Sequence, residues 1–468
     1  MSHWADEAVF YHLYPLATCG APLRNDPALP PVPRLLELIP WIRHARELGA
    51  SALLLGPVLE STSHGYDTVD YFRVDRRLGT DEYLRGVVEE AHALGLHVIL
   101  DAVLGHVGRA FWAFDDVRTC GPGSAYCSWF RGLDFGKESK FGDRPAYEHW
   151  KDAPELPRLN LGCAAVREHL LAAVDHWVER YGFDGLRLDS ADWLEDGFLA
   201  ELRAHCDGKG RDLWLLGEVV HGDYGRWANP HALHSVTNYE AFKGLWSSHV
   251  DRNFFEIAYA LSRQFGPQGI YQGLPLYNFA DNHDVNRVAS TVRDRAHLFS
   301  LYCLLLTMPG VPSLYSGSEW GIAGTRTPTD DHALRPHLDL AAMQRGPEGQ
   351  DLHGALQRLI AVRRASEALL RGGYRQLAVA SEQIAFLRQS STETVLVVVN
   401  AGQESTLTLA LPDLREARLV DLLEPPQVLE AVGGSVRVTV PGTWARVLRV
   451  EARDGVHPTP LGQKGMQS

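Results

Sequence analysis

Residues 80–103 have the sequence TDEYLRGVVEEAHALGLHVILDAV, and this stretch decides the fold class. Thr80 can cap a helix that Gly95 ends, and the apolar positions between them recur at helical spacing. These positions are Leu84, Val87, Val88 and Ala91. Residues 97–103 follow at once as a continuous apolar strand. A fully apolar strand beside an amphipathic helix indicates a parallel sheet that helices cover.

The same alternation of helix and apolar strand extends over most of the chain. Eight strands are predicted, at residues 9–15, 52–58, 97–103, 183–189, 213–218, 235–239, 276–284 and 311–315. Eight such units are typical of an α/β protein with a (β/α)8 barrel, the TIM barrel, carrying insertions. An open, doubly wound sheet is the alternative, but no GxGxxG sequence follows the first strand.

Two regions interrupt or follow this alternation. Residues 107–158 are rich in glycine, aspartate and aromatic residues without a clear period, which predicts an inserted subdomain after strand 3 rather than a loop. From residue 372 short alternating strands predict a C-terminal antiparallel β-sandwich, with strands at 383–387, 394–400, 405–411 and 435–440. The expected division is barrel 1–106, inserted subdomain 107–158, barrel 159–371, β-sandwich 372–452 and flexible tail 453–468.

Composition excludes several classes of protein. The 468 residues carry 45 basic and 58 acidic side chains, and a net charge of −13 argues against nucleic acid as a partner. No apolar run is long enough to cross a membrane, and the N-terminus lacks the features of a signal peptide. The six cysteines are scattered, without a disulfide framework or metal-binding spacing. We therefore expect a cytoplasmic protein.

Polar residues stand at the carboxyl ends of four predicted strands, where a TIM barrel builds its active site. They are Asp101 and His106, Arg187 and Asp189, Glu218, and His283 and Asp284. Alternation along a strand puts Arg187 and Asp189 on one inward face, and the guanidinium would keep that carboxylate ionised at neutral pH. Retaining glycoside hydrolysis needs one carboxylate nucleophile and one protonated carboxyl about 5–5.5 Å apart.

Each of these residues has a structural alternative. A single aspartate at a strand end more often caps a helix or anchors a loop, and a single histidine there is more often structural. The ordered set of residues, and no single member, carries the argument for catalysis.

Four short sequences resemble the ordered motifs of the α-amylase family, glycoside hydrolase family 13. They are DAVLGH at 101–106, GLRLD at 185–189, GE at 217–218 and FADNHD at 279–284. HGY at 64–66 and PGVPSLYSGSE at 309–319 are supporting matches. The resemblance covers almost the whole chain, including the insertion and the C-terminal β-domain.

The resemblance implies roles for individual residues. Asp189 would be the nucleophile, Glu218 the general acid/base and Asp284 the transition-state stabiliser. The substrate-binding residues would be Tyr66, His106, Arg187 and His283, with Asp331 and Arg335 after strand 8. Trp193 and Val219 stand where acceptor subsites are expected, and an apolar acceptor side can favour a sugar over water.

Two departures from the family concern calcium. Gly105 stands where the family usually has a calcium-binding asparagine, and Asp192-Trp193 stands where the α-amylases proper have Lys-His. Residues 19–33 also lack a DxDxDG signature. A hard cation needs several oxygen ligands, so we expect no metal and no cofactor, with Trp193 filling the vacated space.

The subgroup follows from a further resemblance. LPRLN at 156–160, EVVH at 218–221 and Asn238-Tyr239 are similar to stretches of neopullulanases, cyclomaltodextrinases and maltogenic amylases. Those enzymes often have an N-terminal β-domain that builds a dimer; here strand 1 begins at residue 9, so we expect that domain to be lacking. They also have Asn-Glu where this chain has Asp192-Trp193. A homodimer remains an open alternative.

The expected function is retaining hydrolysis of α-1,4 linkages, with α-1,6 as an alternative, in maltooligosaccharides or cyclic glucans. The reaction would pass through a covalent glycosyl-enzyme intermediate, with an oligosaccharide as the partner and neither nucleic acid nor membrane. A transglycosylase or sugar isomerase of the same family, using the same triad, is the first alternative. A non-catalytic carbohydrate-binding protein is the second, and the three carboxylates argue against it.

Overall fold

The structure is a computed structural model that describes residues 3–328, 330–411, 416–424 and 427–452. The tail predicted at 453–468 lies outside the described residues. Within the described ranges, no helix combines the length and the apolar character needed to cross a membrane.

Strands occur in two series, the first within residues 10–315 and the second within residues 373–452. In chain order they are β1 (Phe10–Leu13), β2 (Ala52–Leu55), β3 (Leu59–Ser61), β4 (Thr68–Val74), β5 (His97–Ala102), β6 (His149–Trp150), β7 (Ala153–Pro157), β8 (Gly185–Leu188), β9 (Trp214–Gly217), β10 (Ser235–Val236), β11 (Tyr277–Phe279), β12 (Val311–Tyr315), β13 (Gly373–Val379), β14 (Gln383–Gln389), β15 (Thr394–Asn400), β16 (Ser405–Ala410), β17 (Glu416–Asp421), β18 (Val428–Val432), β19 (Ser435–Val440) and β20 (Trp444–Ala452).

The helices lie between and after the strands of the first series. They are α1 (Pro15–Thr18), α2 (Leu38–Leu48), α3 (Asp81–Ala93), α4 (Trp112–Cys120), α5 (Ala164–His176), α6 (Asp196–Asp207), α7 (Tyr239–Val250), α8 (Phe254–Phe265), α9 (Val288–Thr291), α10 (His297–Thr307), α11 (Leu340–Arg345), α12 (Gln350–Arg364) and α13 (Glu367–Arg371). Helix α3 buries the four apolar positions that the sequence predicted, although the Thr80 side chain makes no capping hydrogen bond.

The predicted TIM barrel is confirmed. Its eight parallel strands follow the order β10-β9-β8-β5-β2-β1-β12-β11, and each coincides with a predicted strand. A parallel bridge between Thr237 and Tyr277 joins the first and last strands of this order, so the barrel closes.

The inward-facing residues of the barrel strands are apolar in the lower barrel and polar at its mouth. Phe10, Ile99 and Leu216 belong to one buried cluster that residues from several barrel strands form. Two residues further along the same strands, the same inward face carries His12, Asp101 and Glu218. The apolar layer therefore fills the lower barrel, and polar side chains collect at its carboxyl-terminal mouth.

The segment predicted to lack a regular period contains more structure than expected. Helix α4 and the hairpin of β6 and β7 lie within it, and the Phe114 ring packs edge-on against Phe130 and Tyr147 at 4.9 and 4.8 Å. A second hairpin, β3 and β4, follows barrel strand β2 and was not predicted. Aromatic packing of this kind has no sequence period, which explains the missed elements.

The C-terminal domain is an antiparallel sheet of eight strands in the order β13-β14-β15-β20-β17-β18-β19-β16. Strands β13 and β16 also contact each other, so the sheet folds over its own apolar core. Four of the strands were predicted; β13, β17, β18 and β20 were missed, because charged residues dilute their apolar alternation. We propose the predicted domain boundaries unchanged, since α13 ends at Arg371 and β13 begins at Gly373.

Candidate active site

A cavity of about 1040 Å³ opens at the carboxyl-terminal mouth of the barrel. The predicted site residues that line it are Tyr66, His106, Asp189, Glu218, Asp284, Asp331 and Arg335. Arg187 and His283 are buried directly beneath its floor, at 3% and 1% exposure, where they bond to the lining carboxylates. The structure therefore brings nine of the eleven predicted residues together.

Arg187 joins three carboxylates that arise from three different strands. Its Nη1 lies 2.6 Å from Asp101 Oδ1 and 3.1 Å from Asp189 Oδ1, and its Nη2 lies 2.9 Å from Glu218 Oε2. Since the four groups are buried, these contacts fix Asp189 and Glu218 relative to each other.

The protonation of Asp189 differs from the expectation. Burial raises the pKa of Asp189, Arg187 lowers it and Glu218 raises it, and the net pKa lies well above the usual value for an aspartate. The guanidinium therefore does not by itself hold this carboxyl ionised as predicted, because burial outweighs its charge. Burial and the charge of Glu218 therefore favour the protonated form of Asp189.

The pKa of Asp284 is shifted in the opposite direction from that of Asp189. Burial raises its pKa, but the neighbouring His283 and Arg335 outweigh burial, and the pKa lies well below the usual range. His283 Nε2 is 2.9 Å from Oδ2, and Arg335 Nη2 is 2.8 Å from Oδ1. The same Arg335 nitrogen lies 3.0 Å from Asp331, which couples that residue to the site. Asp284 therefore remains ionised beside the carboxyl pair.

Tyr66 connects the two groups of carboxylates. Its hydroxyl donates to Asp101 Oδ2 at 2.8 Å and contacts His283 Nε2, while the two rings stack with centroids 5.5 Å apart. Tyr14 also stacks on His283, with ring centroids 5.5 Å apart, and its ring lies 6.5 Å from that of Tyr66. These aromatic rings line one wall of the cavity.

His106 is neutral across the usual working range of pH. Burial lowers its pKa to about 3, and its Nε2 has no hydrogen-bond partner among the residues that the structure describes. A neutral imidazole with a free ring nitrogen at the cavity wall can bond a sugar hydroxyl.

Val219 does not line the cavity. Its side chain is fully buried and its N–H donates to Thr237 Oγ1 at 2.9 Å. Val220 faces the cavity instead, because successive residues of an extended segment point in opposite directions. The expected place of Val219 is therefore corrected by one residue.

Trp193 is the second predicted residue that lies away from the cavity lining. The Arg158 guanidinium stands 5.2 Å above its ring, and Arg158 Nη2 donates to its carbonyl at 3.3 Å. Leu194, not Trp193, packs against Gly105, with Cδ2 3.2 Å from the point where a Cβ on that glycine would lie. The expectation that Trp193 fills this space is thus corrected.

These contacts also test the calcium site that the family implies. Gly105 offers no side-chain ligand, and the Trp193 carbonyl already accepts from a cationic guanidinium. A guanidinium repels a second cation, so the residues present do not fit calcium at this junction.

Two tyrosines and one tryptophan that line the cavity were not predicted as site residues. Tyr14 directly follows β1, Tyr239 begins α7, and Trp150 ends β6 in the inserted subdomain. The Tyr239 hydroxyl lies 3.3 Å from Glu218 Oε1. The positions of Tyr14 and Tyr239, just after barrel strands, were a usable signal; Trp150 had none, since no strand pattern places its segment over the barrel.

Two protein families match this chain, one over the barrel and one over the C-terminal domain. Residues 38–359 match the family described as Alpha amylase, catalytic domain, and residues 374–445 match the family described as Maltogenic Amylase, C-terminal domain. The chain belongs to the α-amylase family. The predicted resemblance is confirmed, and the chain is a glycoside hydrolase.

Its relatives include a cyclomaltodextrinase from Bacillus sp, 30% identical over 416 residues, which are 85% of this chain and 73% of that protein. Neopullulanase 2 from Thermoactinomyces vulgaris is 30% identical over 449 residues, or 91% and 74% of the two chains. The intracellular maltogenic amylase of Bacillus subtilis is 26% identical over 370 residues, or 78% and 60%.

Among solved structures, the cyclic α-maltosyl-(1→6)-maltose hydrolase from Arthrobacter globiformis matches with a TM-score of 0.81 and 27% identity. The match covers 96% of this chain and 99% of that one. A cyclomaltodextrinase structure matches with a TM-score of 0.84 and 26% identity, covering 96% of this chain and 78% of that one.

Proposed function

We propose that this glycoside hydrolase cleaves α-glucosidic linkages in maltooligosaccharides or cyclic glucans with retention of configuration. Asp189 is the nucleophile, Glu218 the acid/base and Asp284 the stabiliser of the transition state. One observation carries the proposal: Arg187 holds Asp189 and Glu218 at 3.1 and 2.9 Å in the barrel mouth.

In the first step Asp189 forms a bond to the anomeric carbon while Glu218 gives its proton to the glycosidic oxygen, which leaves as a hydroxyl. This step needs one ionised and one protonated carboxyl. The raised pKa of Asp189, which burial causes and Glu218 increases, supports a pair that retains one proton. When Asp189 is ionised for attack, Arg187 at 3.1 Å stabilises its charge.

In the second step Glu218 takes a proton from water, whose oxygen attacks the anomeric carbon and releases Asp189. The positive charge that develops on the sugar ring in both steps is stabilised by an anion that stays ionised. Asp284 meets this requirement, since His283 and Arg335 keep its pKa low despite burial.

The remaining contacts bind the substrate. His106 and His283 lie at the sugar to be cleaved, Tyr66 presents a ring to its face, and Asp331 and Arg335 bond its hydroxyls. On the acceptor side Val220 takes the place expected for Val219, and Trp193 has no part in the cavity lining. Apolar lining at this side keeps transglycosylation as a second candidate activity, in which a sugar replaces water in the second step.

The relatives direct the choice of substrates. One is named for cyclomaltodextrins, one for pullulan and one for a cyclic tetrasaccharide with α-1,6 linkages. We propose α-1,4 linkages as the main target and α-1,6 linkages as the second. We also propose a cytoplasmic location, which is supported by one relative being named an intracellular maltogenic amylase.

The test is a panel of starch, pullulan, cyclodextrins, maltooligosaccharides, cyclic maltosyl-maltose, isomaltose and sucrose, with products identified by chromatography. Nuclear magnetic resonance of the first product gives its anomeric configuration. α-Configured maltose or glucose supports the proposal; a β-configured first product, or no cleavage of any glucan, contradicts it. Products longer than the substrate at high concentration identify transglycosylation.

A further inference from the structure

We propose that Trp150 and Ser190 are positioning residues that hold the acid/base Glu218 with its proton-bearing oxygen toward the substrate. The inference rests on the proposed function. It assigns to the inserted subdomain a part in proton transfer, through a contact with the residue that follows the nucleophile.

The backbone of Ser190 is held in an uncommon conformation. Its φ of 45° and ψ of 51° are left-handed, which a residue other than glycine rarely adopts. Ser190 directly follows Asp189, and this turn directs its N–H at Glu218 Oε2, at 3.1 Å. Its side chain is buried, so the conformation is supported by contacts with the protein rather than with water.

The two oxygens of Glu218 consequently have different surroundings. Oε2 accepts from the Ser190 N–H and, at 2.9 Å, from Arg187 Nη2. Both donors are fixed and neither can accept a proton, so a proton on this carboxyl belongs on Oε1. The Tyr239 hydroxyl donates to Oε1 at 3.3 Å, and it can rotate to accept when Oε1 carries the proton.

Trp150 supports this arrangement from the inserted subdomain. Its indole N–H donates to Ser190 Oγ at 3.1 Å, and its ring lies 5.6 Å from that of His106. Lys151 follows it with a φ of 43° and places its ammonium 4.2 Å from the indole ring. The hairpin end of β6 and β7 thereby fixes the Ser190 side chain, whose backbone fixes Glu218.

Proton donation by Glu218 can be tested with a series of aryl α-maltosides. Their aryl rings are of equal size, so that binding is similar, but their leaving groups differ in acidity. The value of kcat/KM reports only the first step, in which a poor leaving group needs the Glu218 proton and 4-nitrophenolate hardly does. The 4-methoxyphenyl α-maltoside has the poorest leaving group of the series. Trp150→Phe and Ser190→Ala should lower kcat/KM for this substrate by about five- to tenfold, the effect of one hydrogen bond. The 4-nitrophenyl substrate should change by less than about twofold.

The double variant should be no slower than the slower single variant, because both changes break the same hydrogen bond. Trp112→Phe, an exposed tryptophan of the same subdomain, is the matched control and should leave the whole series unchanged. An equal loss across the series, or additive losses in the double variant, would assign Trp150 to substrate contact and overturn the inference. Failure of the wild-type protein to cleave any maltoside would instead refute the proposed function.

Discussion

Arg158 connects the inserted subdomain to the barrel at the junction where the family resemblance implies a calcium site, and its removal is a direct test of that connection. Arg158→Met keeps the length of the side chain and removes its charge and donors. The lost contacts are the hydrogen bond to the Trp193 carbonyl, at 3.3 Å, and the stacking on the Trp193 ring, at 5.2 Å.

The loss in the local free energy of opening can be worked out from these contacts. A hydrogen bond from a charged donor contributes about 1.5 kcal/mol. The cation–π contact contributes about 0.5–1 kcal/mol, because the Arg158 side chain is only partly buried. Glu148 lies 3.7 Å away and is half exposed, so this ion pair adds little. The expected loss is about 2 kcal/mol in the local free energy of opening, or roughly a 30-fold larger open population.

Hydrogen exchange measures this opening directly. The Val107 N–H donates to the Pro157 carbonyl and the Leu159 N–H to the Gly105 carbonyl, each at 3.0 Å, across the junction. In Arg158→Met these amides should exchange roughly 30-fold faster, since exchange follows the open population. Arg118→Met is the control, because Arg118 pairs with Asp115 and Asp143 inside the subdomain.

Chelation supplies the refuting result. Wild-type exchange and melting temperature should not change in millimolar EDTA or with added calcium, because a ligand of the native state stabilises it only if it binds. If EDTA speeds exchange at Val107 and Leu159 in the wild-type protein, a metal holds the junction and the reasoning fails. Unchanged exchange in Arg158→Met would equally refute it.

Three further predictions concern catalysis and pH. Asp189→Asn should lower kcat by about 10⁴-fold or more, while relief of carboxyl crowding keeps the melting temperature the same or higher; residual hydrolysis near the wild-type rate would exclude the nucleophile role. Arg335→Ala removes a cation that lowers the pKa of Asp284, so the acidic limb of kcat/KM should move to higher pH; an unmoved limb would exclude Asp284 as the titrating group. Burial lowers the pKa of His249 to about 3 in the folded protein, whereas the unfolded chain has the ordinary value of about 6.5. Between these two values of pH only the unfolded chain binds a proton at His249. The free energy of unfolding therefore falls as the pH falls. In His249→Gln, denaturant titrations from pH 6 to 4 should show this slope reduced by about 1.4 kcal/mol per pH unit; an unchanged slope would contradict the assignment.

The barrel could be predicted because its signals are local. Each strand from β1 to β12 that enters the barrel is a short apolar run next to a helical period, and all eight were found. The bridge between Thr237 and Tyr277 that closes the barrel has no such signal, since it depends on the summed twist and tilt of the sheet.

The site residues likewise fall into those with a local signal in the sequence and those without one. Residues on barrel strands or directly after them, such as Asp189 and Glu218, were located from their positions at the ends of predicted strands. Trp150 reaches the site because a subdomain folds back over the barrel, and Val219 was misplaced because one residue of register decides which side chain faces the cavity. The pKa of Asp189 was misjudged for a related reason: burial is a property of the folded site, whereas the neighbouring arginine is visible in the sequence.

Two glycines in the recognised motifs show why those motifs are so short and so informative. A Cβ on Gly185 would lie 2.2 Å from the Trp214 carbonyl oxygen, and one on Gly217 would lie 2.3 Å from Leu233 Cδ1. Neither glycine lines the cavity, but each permits the close approach of a neighbouring segment to β8 or β9. That approach brings Arg187 within 2.9 Å of Glu218. The motif therefore encodes the spacing of two strands as well as the charges they carry, because retaining hydrolysis needs the nucleophile and the acid/base at a fixed separation.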